Sequence, residues 1–211
     1  MVDTGFKTHA PLDGIARTGR FGGGDIPGLT IEEQTDLALA TVLARRGRER
    51  AFRDAVVAAY GIEPPDGPRL ARAGDVSFAG IGVGQWMAAA HGEAAAGFVA
   101  HLRERLAGLA SVMDQSDGRV VLKIYGDRVR DVLAKGVPVD LHPWRFKTGD
   151  VATTLVAHIG VQLAQLDDRP TYQLMAFRSL AGSLWSWLTN SAAEYGYEVL
   201  RGGNEEPSGQ A

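Results

Sequence analysis

The sequence predicts an α+β fold made of two ferredoxin-like lobes, with mixed or antiparallel sheets and the helices on one face of each. Three observations carry that expectation. Apolar runs of strand length alternate with stripes at helical spacing. The order strand, helix, strands, helix runs once from Leu37 to Ala110 and begins again at Arg119. At 211 residues, the chain suits one compact domain or two small lobes and can bury roughly two thirds of its unfolded surface. Local identity between the halves is weak, so any repeat is architectural. The sequence divides into an N-terminal arm (1–28), a first lobe (29–118), a second lobe (119–200) and a disordered tail (201–211), the last being Gly, Glu, Pro and Ser.

Residues 1–28 are rich in glycine, with Pro11, Pro27 and the triple glycine Gly22-Gly23-Gly24, and cannot hold regular structure alone. Phe6, Leu12, Ile15, Phe21 and Ile26 are spaced apolar anchors. The segment is either a frayed terminus or an arm that orders against another subunit. Leu37 to Leu43 reads as a strand. Arg48 to Tyr60 reads as a helix whose stripe is Phe52, Val56, Ala59 and Tyr60; Gly61 caps it, and Glu63 to Pro68 is a stiff connector. Asp75 to His91 gives two strands around Gly80-Ile81-Gly82-Val83-Gly84. That run is GxGxG rather than the GxGxxG of a dinucleotide loop, and no helix opens after it, so a tight hairpin is expected. Glu93 to Ala110 reads as a helix on Phe98, Leu102, Leu106 and Leu109.

In the second half Val120 to Tyr125 is a strand, and Asp127 to Lys135 a helix on Val129, Val132 and Leu133, stopped by Gly136 and Pro138. A hinge, Asp140-Leu141-His142-Pro143, leads through Trp144-Arg145-Phe146 and the turn Lys147 to Asp150. Two apolar runs follow, Val151 to Ile159 and Val161 to Leu166, with the junction expected at Gly160. Tyr172 to Phe177 is a strand, Ser179 to Glu194 a helix and Gly196 to Leu200 a closing strand. In that helix Leu180, Leu184, Trp187, Leu188 and Tyr195 share one side, whereas Trp185 points about a hundred degrees from their centre. Trp185 either covers a loop or meets a partner.

Composition excludes several classes of chemistry. The formal net charge is −3 with acids and bases interspersed, which gives no electrostatic footprint for nucleic acid or anionic lipid. With no cysteine there is no disulfide, thiolate metal site, iron–sulfur cluster or cysteine nucleophile. The start carries no leader pattern and no apolar run reaches spanning length, so a cytoplasmic protein is expected. The five histidines are scattered without HExxH-type spacing, and GxSxG, Walker and paired-carboxylate motifs are absent from the sequence. The best polar pair is Asp140 with His142, which is either an acid–base unit or a hydrogen-bonded turn before Pro143. Asp167-Asp168-Arg169-Pro170 reads as a hairpin turn. Arg145 and Lys147, beside Trp144 and Phe146, either meet an anion or an acidic partner edge, or form a solvated loop. No catalytic, metal or cofactor-binding residue is assigned. The candidate partner contacts are Phe21, Ile26, Trp144 and Trp185.

Four blocks together are recognisable: Gly126-Asp127-Arg128-Val129-Arg130-Asp131-Val132-Leu133-Ala134-Lys135-Gly136, Asp140-Leu141-His142-Pro143, Gly149-Asp150-Val151-Ala152 and Trp185-Ser186-Trp187-Leu188. In this order and spacing they closely resemble the gamma subunit of heterotetrameric sarcosine oxidase, over about Leu37 to Tyr195. The resemblance implies a shortened version of the tetrahydrofolate-binding aminomethyltransferase fold. It also implies a structural subunit without a cofactor of its own, with alpha, beta and delta subunits as partners, alpha the most direct, and with FAD, FMN, NAD and tetrahydrofolate held by the alpha and beta subunits. Such complexes oxidise sarcosine with oxygen to glycine and hydrogen peroxide, passing the one-carbon unit to tetrahydrofolate as methylenetetrahydrofolate. Two alternatives stay open: a gamma subunit of a related N-methyl amino acid oxidase or dehydrogenase, such as one acting on N-methylglutamate, and a stand-alone folate-binding, aminomethyltransferase-like protein.

Overall fold

A computed structural model describes residues 9–24 and 26–200. The expected tail at 201–211, and Phe6 with the first part of the arm, lie outside the described residues. Twelve strands and four α-helices follow one another as β1 Gly19–Phe21, β2 Leu29–Glu33, β3 Leu37–Ala44, α1 Glu49–Tyr60, β4 Leu70–Ala73, β5 Val76–Gly82, β6 Gln85–His91, α2 Phe98–Arg105, β7 Ala110–Asp114, β8 Arg119–Tyr125, α3 Val129–Ala134, β9 Val151–Val156, β10 Ile159–Asp167, β11 Thr171–Phe177, α4 Ala181–Ala192 and β12 Tyr197–Leu200.

The strands form two sheets. One has five strands in the order β4-β5-β6-β3-β7, the other seven in the order β1-β12-β2-β8-β11-β10-β9. Strip β1 and β2 from the larger sheet and the two orders coincide. The unit β3-α1-β4-β5-β6-α2-β7 recurs as β8-α3-β9-β10-β11-α4-β12. In each unit the first strand pairs antiparallel with the third strand of the following meander, which is the split arrangement of a ferredoxin-like lobe with one extra edge strand.

Alternation at period two sorts the side chains between faces. In β3, Ala38, Ala40 and Val42 pack under α1 and α2 with Phe52, Val56, Phe98 and Leu102. In β8, Val120, Leu122 and Ile124 pack under α3 and α4 with Val129, Val132, Leu133, Leu184 and Leu188. The alternate positions meet between the sheets, where Leu39, Met87 and Ala89 lie against Val121, Val151, Ala164 and Met175. The layers are therefore helices, sheet, sheet, helices, with the sheets face to face. Their edges are also tied, since Leu70 N donates to Gly149 O at 2.7 Å and Val151 N to Pro68 O at 2.8 Å.

Four sequence expectations change. Strand β2, assigned to the first lobe at residues 29–118, hydrogen-bonds between β12 and β8 in the sheet of the second. The arm's described part folds against its own chain. Leu12 is buried in the second lobe's core, and β1 pairs antiparallel with β12, supplying the hydrogen bonds that its glycines could not supply locally. The β9–β10 turn falls at Ala157-His158 rather than Gly160, because Val156 pairs with Ile159 and Gly160 with Leu155. Ala157 takes a positive φ of 54° and its N–H is held by Gly136 O at 2.9 Å. The helix expected over Glu93 to Ala110 is confined to Phe98–Arg105, and Ala110 opens the edge strand β7.

Candidate partner-docking surfaces

The hinge between α3 and β9 is a built loop. Asp140 Oδ1 accepts from His142 N at 3.0 Å, and His142 Nδ1 accepts from Trp144 N at 3.3 Å. His142 O accepts from both Arg145 N and Phe146 N. The Asp140–His142 pair is thus spent on turn geometry, each group capping a backbone N–H two residues on. Phe146 anchors the loop from below, buried and stacked on Tyr172 with centroids 6.3 Å apart. Arg130 Nε ties α3 to the same place, donating to Leu141 O and to the Tyr172 hydroxyl, both at 3.1 Å. What this scaffold presents is Trp144, 84% exposed and braced edge-on by the His142 ring at 5.8 Å. An exposed tryptophan on a hydrogen-bonded loop beside Arg145 has the composition of a binding hot spot.

Phe21 and Ile26 belong to a separate surface at the outer edge of the larger sheet. Phe21 stacks on its cross-strand partner Tyr197 at 5.4 Å and stays partly exposed. Ile26 is 83% exposed. The loop bearing them is pinned to the end of α4 by Gly23 N to Ala193 O at 2.9 Å and Gly28 N to Tyr195 O at 3.0 Å. A Cβ on Gly22 would lie 2.4 Å from Ala193 O, so the triple glycine is where this loop crosses the helix end at close range.

Trp185 is half-buried. It packs against the second lobe's core and lines a cleft of about 820 Å³ with Leu12, Glu33, Arg119, Arg178 and Leu200. The segment 9–18 forms one wall. It is held there by Leu12 N donating to Glu33 Oε1 at 3.0 Å and by the Arg178 guanidinium on His9 O. Burial pushes the Glu33 carboxyl up, opposed by the Leu12 N–H. Burial also lowers the Arg119 guanidinium. The sequence reading found Trp185 but missed Arg119, Arg178 and Glu33. Each begins, ends or follows a strand as an ordinary charge, and segment 9–18 lies over them as a wall of the cleft.

Other motifs resolve into structure. Gly80-Ile81-Gly82-Val83-Gly84 is the β5–β6 hairpin, with Gly84 at φ 66°. Asp167 Oδ1 caps Arg169 N and Thr171 N in the β10–β11 turn. Among the described residues, no three His, Cys, Asp or Glu side chains group as metal ligands, and no helix is long and apolar enough to cross a membrane.

The fold is shared with solved structures. Heterotetrameric sarcosine oxidase from Corynebacterium sp. U-96, in complex with pyrrole 2-carboxylate, contains a chain that superposes with a TM-score of 0.72 at 24% identity, covering 83% of this chain and 88% of that one. Glycine cleavage system aminomethyltransferase T from Bartonella henselae superposes with a TM-score of 0.59 at 13% identity, covering 83% of this chain but 48% of that one. The protein is thus an α+β fold similar to about half of the aminomethyltransferase. No curated protein matches it in sequence. The model of the sarcosine oxidase, gamma subunit family matches residues 46–194, well over half of the chain. The chain therefore belongs to the sarcosine oxidase gamma subunit family.

Proposed function

We propose that this chain is the non-catalytic gamma subunit of a heterotetrameric sarcosine oxidase. It contributes shape and docking surface to an assembly with alpha, beta and delta partners, while sarcosine oxidation, oxygen reduction and one-carbon transfer to tetrahydrofolate belong to the partners, with FAD, FMN, NAD and tetrahydrofolate in the alpha and beta subunits. The observation that carries this reading is the family match across residues 46–194. The presentation of Trp144 and the exposed Ile26 supply surfaces for such partners, the alpha subunit first. A cytoplasmic location goes with that role.

The test is co-expression with the partner subunits, followed by purification and a peroxide-release assay on sarcosine and N-methylglutamate. The expected result is a four-subunit complex active on sarcosine, and a colourless isolated chain without turnover. Sarcosine turnover by the lone chain, or its failure to join the complex, would overturn the proposal. A complex active on N-methylglutamate alone would move the assignment to the related oxidase.

A further inference from the structure

The inner face of the larger sheet carries a row of side chains that its partner sheet does not cover. On that face Val151, Ala164, Met175 and Val121 are buried between the sheets. Farther along the same strands, at even spacing and so on the same face, lie Leu155, Gly160, Phe177 and Arg119. Leu155 pairs with Gly160 and Phe177 with Arg119, and the Val161–Ala176 pair sets Gly160 beside Phe177. The four form one continuous line across β9, β10, β11 and β8. Leu155 is 48% and Phe177 53% exposed, and a Cβ on Gly160 would meet nothing within 4 Å. The line ends in the cleft, which Arg119 lines together with Trp185 and the part-exposed Leu200.

Arg119 gives this surface its chemistry. Its guanidinium carbon lies 4.0 Å from the centre of the Phe177 ring, and its buried Nε has no hydrogen-bond acceptor among the described residues. Arginine stays charged and presents a planar fork of donors that fits a carboxylate. With Nε buried, it is the part-exposed outer end of this guanidinium that can meet an anion from outside the chain. Trp185, Phe177, Leu155 and Arg119 are residue types found at interface hot spots, and the cleft they border is a mixed-charge one in which Asp13, Glu33 and Asp117 also stand in the lining.

We propose that this line and the cleft at its end seat an apolar segment of a partner subunit that carries an aspartate or glutamate to Arg119. The proposal rests on the chain being a subunit of the assembly, and names a surface distinct from those of Trp144 and Ile26. The leucine and phenylalanine supply burial, and the carboxylate supplies register and salt sensitivity.

The test measures binding of the full chain to the co-expressed partner subunits, for wild type, Arg119→Gln, Gly160→Gln and the outer-helix control Arg103→Gln. Gly160→Gln places bulk in open space, so the free chain keeps or raises its melting temperature while docking is blocked. Arg119→Gln is expected to weaken binding by about thirtyfold or more and to flatten its salt dependence; Gly160→Gln is expected to weaken it with the salt dependence kept. Both variants binding like wild type overturn the proposal while leaving the subunit assignment intact. Wild-type chain that binds no partner overturns the assignment, and this proposal with it. Sodium succinate raising the melting temperature of the free chain through Arg119, with partner binding unaffected by Arg119→Gln, overturns it in favour of a small carboxylate ligand.

Discussion

The two lobes share one strand order but fill it in different ways. In the first, the central strands β3 and β6 put Ala38, Ala40, Ala88 and Ala90 under the helices, and the bulk comes from Phe52 and Phe98 on the helices and from Phe78 on β5 and Trp86 at the start of β6. In the second, the strands carry Leu122, Ile124, Leu163 and Leu174, and the long helix turns small residues inward, Ala181 and Ala192 beside Leu184 and Leu188. Summed volume across the helix–sheet interface is what the architecture demands, and either side can supply it. That explains how a repeat can persist in topology without sequence identity. The second difference is that the larger sheet takes β2 between the equivalents of two directly paired strands, β7 and β3. The chain thus begins in one lobe, builds the other, and returns.

Emptying the bulk from each lobe breaks this comparison most severely. Phe52 is fully buried and stacked on Trp86 at 4.6 Å, so Phe52→Ala should cost about 3–5 kcal/mol. Ile31, fully buried in the inserted β2, should cost about 2–5 kcal/mol as Ile31→Ala. Denaturant unfolding followed by fluorescence and circular dichroism checks both. The shared layer between the sheets couples the lobes, so each variant should shift a single transition. Two separated transitions would show that the lobes unfold independently.

One substitution at a glycine of each lobe sharpens the contrast. Gly80 sits beneath the Glu63–Pro68 connector, and an added Cβ would lie 2.0 Å from Gly67 O. Because that neighbour is backbone, Gly80→Ala should destabilise by about 1–3 kcal/mol. Gly160 faces open space, and Gly160→Ala should stabilise by about 0.5–1 kcal/mol through reduced chain entropy in the unfolded state. Equal effects in a thermal melt would refute the close approach at Gly80.

Buried tyrosines give a smaller test of opposite sign. The Tyr60 hydroxyl is buried with no partner among the described residues, and burial pushes it up to about 12. The Tyr172 hydroxyl accepts from Arg130 Nε. Tyr60→Phe should be neutral or stabilising by up to about 1 kcal/mol, while Tyr172→Phe should destabilise by about 1 kcal/mol. Matched melts of the two variants decide it.

Legibility in the sequence follows whether an element's partners are local. α1 could be read because Phe52 and Val56 lie one turn apart and Gly61 takes φ 66° at its end, its N–H on Val57 O. The β5–β6 hairpin announced itself through its glycines. β2 could not be placed, since nothing in Leu29–Glu33 says that its neighbours are residues 122–125 and 197–200. β7 is missed: Leu106 and Leu109 continue the stripe of Phe98 and Leu102 and carry the expected helix as far as Ala110, the first residue of β7, although the α-helix ends at Arg105. At the proposed docking surfaces, Trp144 and Ile26 stand out by residue type. Phe177 and Leu155 looked like ordinary strand positions, and their exposure depends on where the opposing sheet ends.

Acidity should act on the two sheets in opposite directions. Glu33, at the end of β2, is pushed above its usual value of 4.5 by burial, with the Leu12 N–H opposing. The folded state thus favours its neutral form, and its contribution is fully present below 4.5 and declines as pH rises through the raised value. His91, at the end of β6, is pushed below its usual 6.5 by burial and by Arg72, with Asp75 and Asp36 opposing. Its contribution is fully present above 6.5 and is lost as pH falls. Between pH 4.5 and 6.5 the two slopes oppose each other in the wild type. Glu33→Gln should therefore make stability rise more steeply with pH across that window, and His91→Gln should make it fall. Melting temperatures at several pH values check the signs. A Glu33→Gln profile parallel to wild type would remove burial of that carboxyl from the account of the cleft.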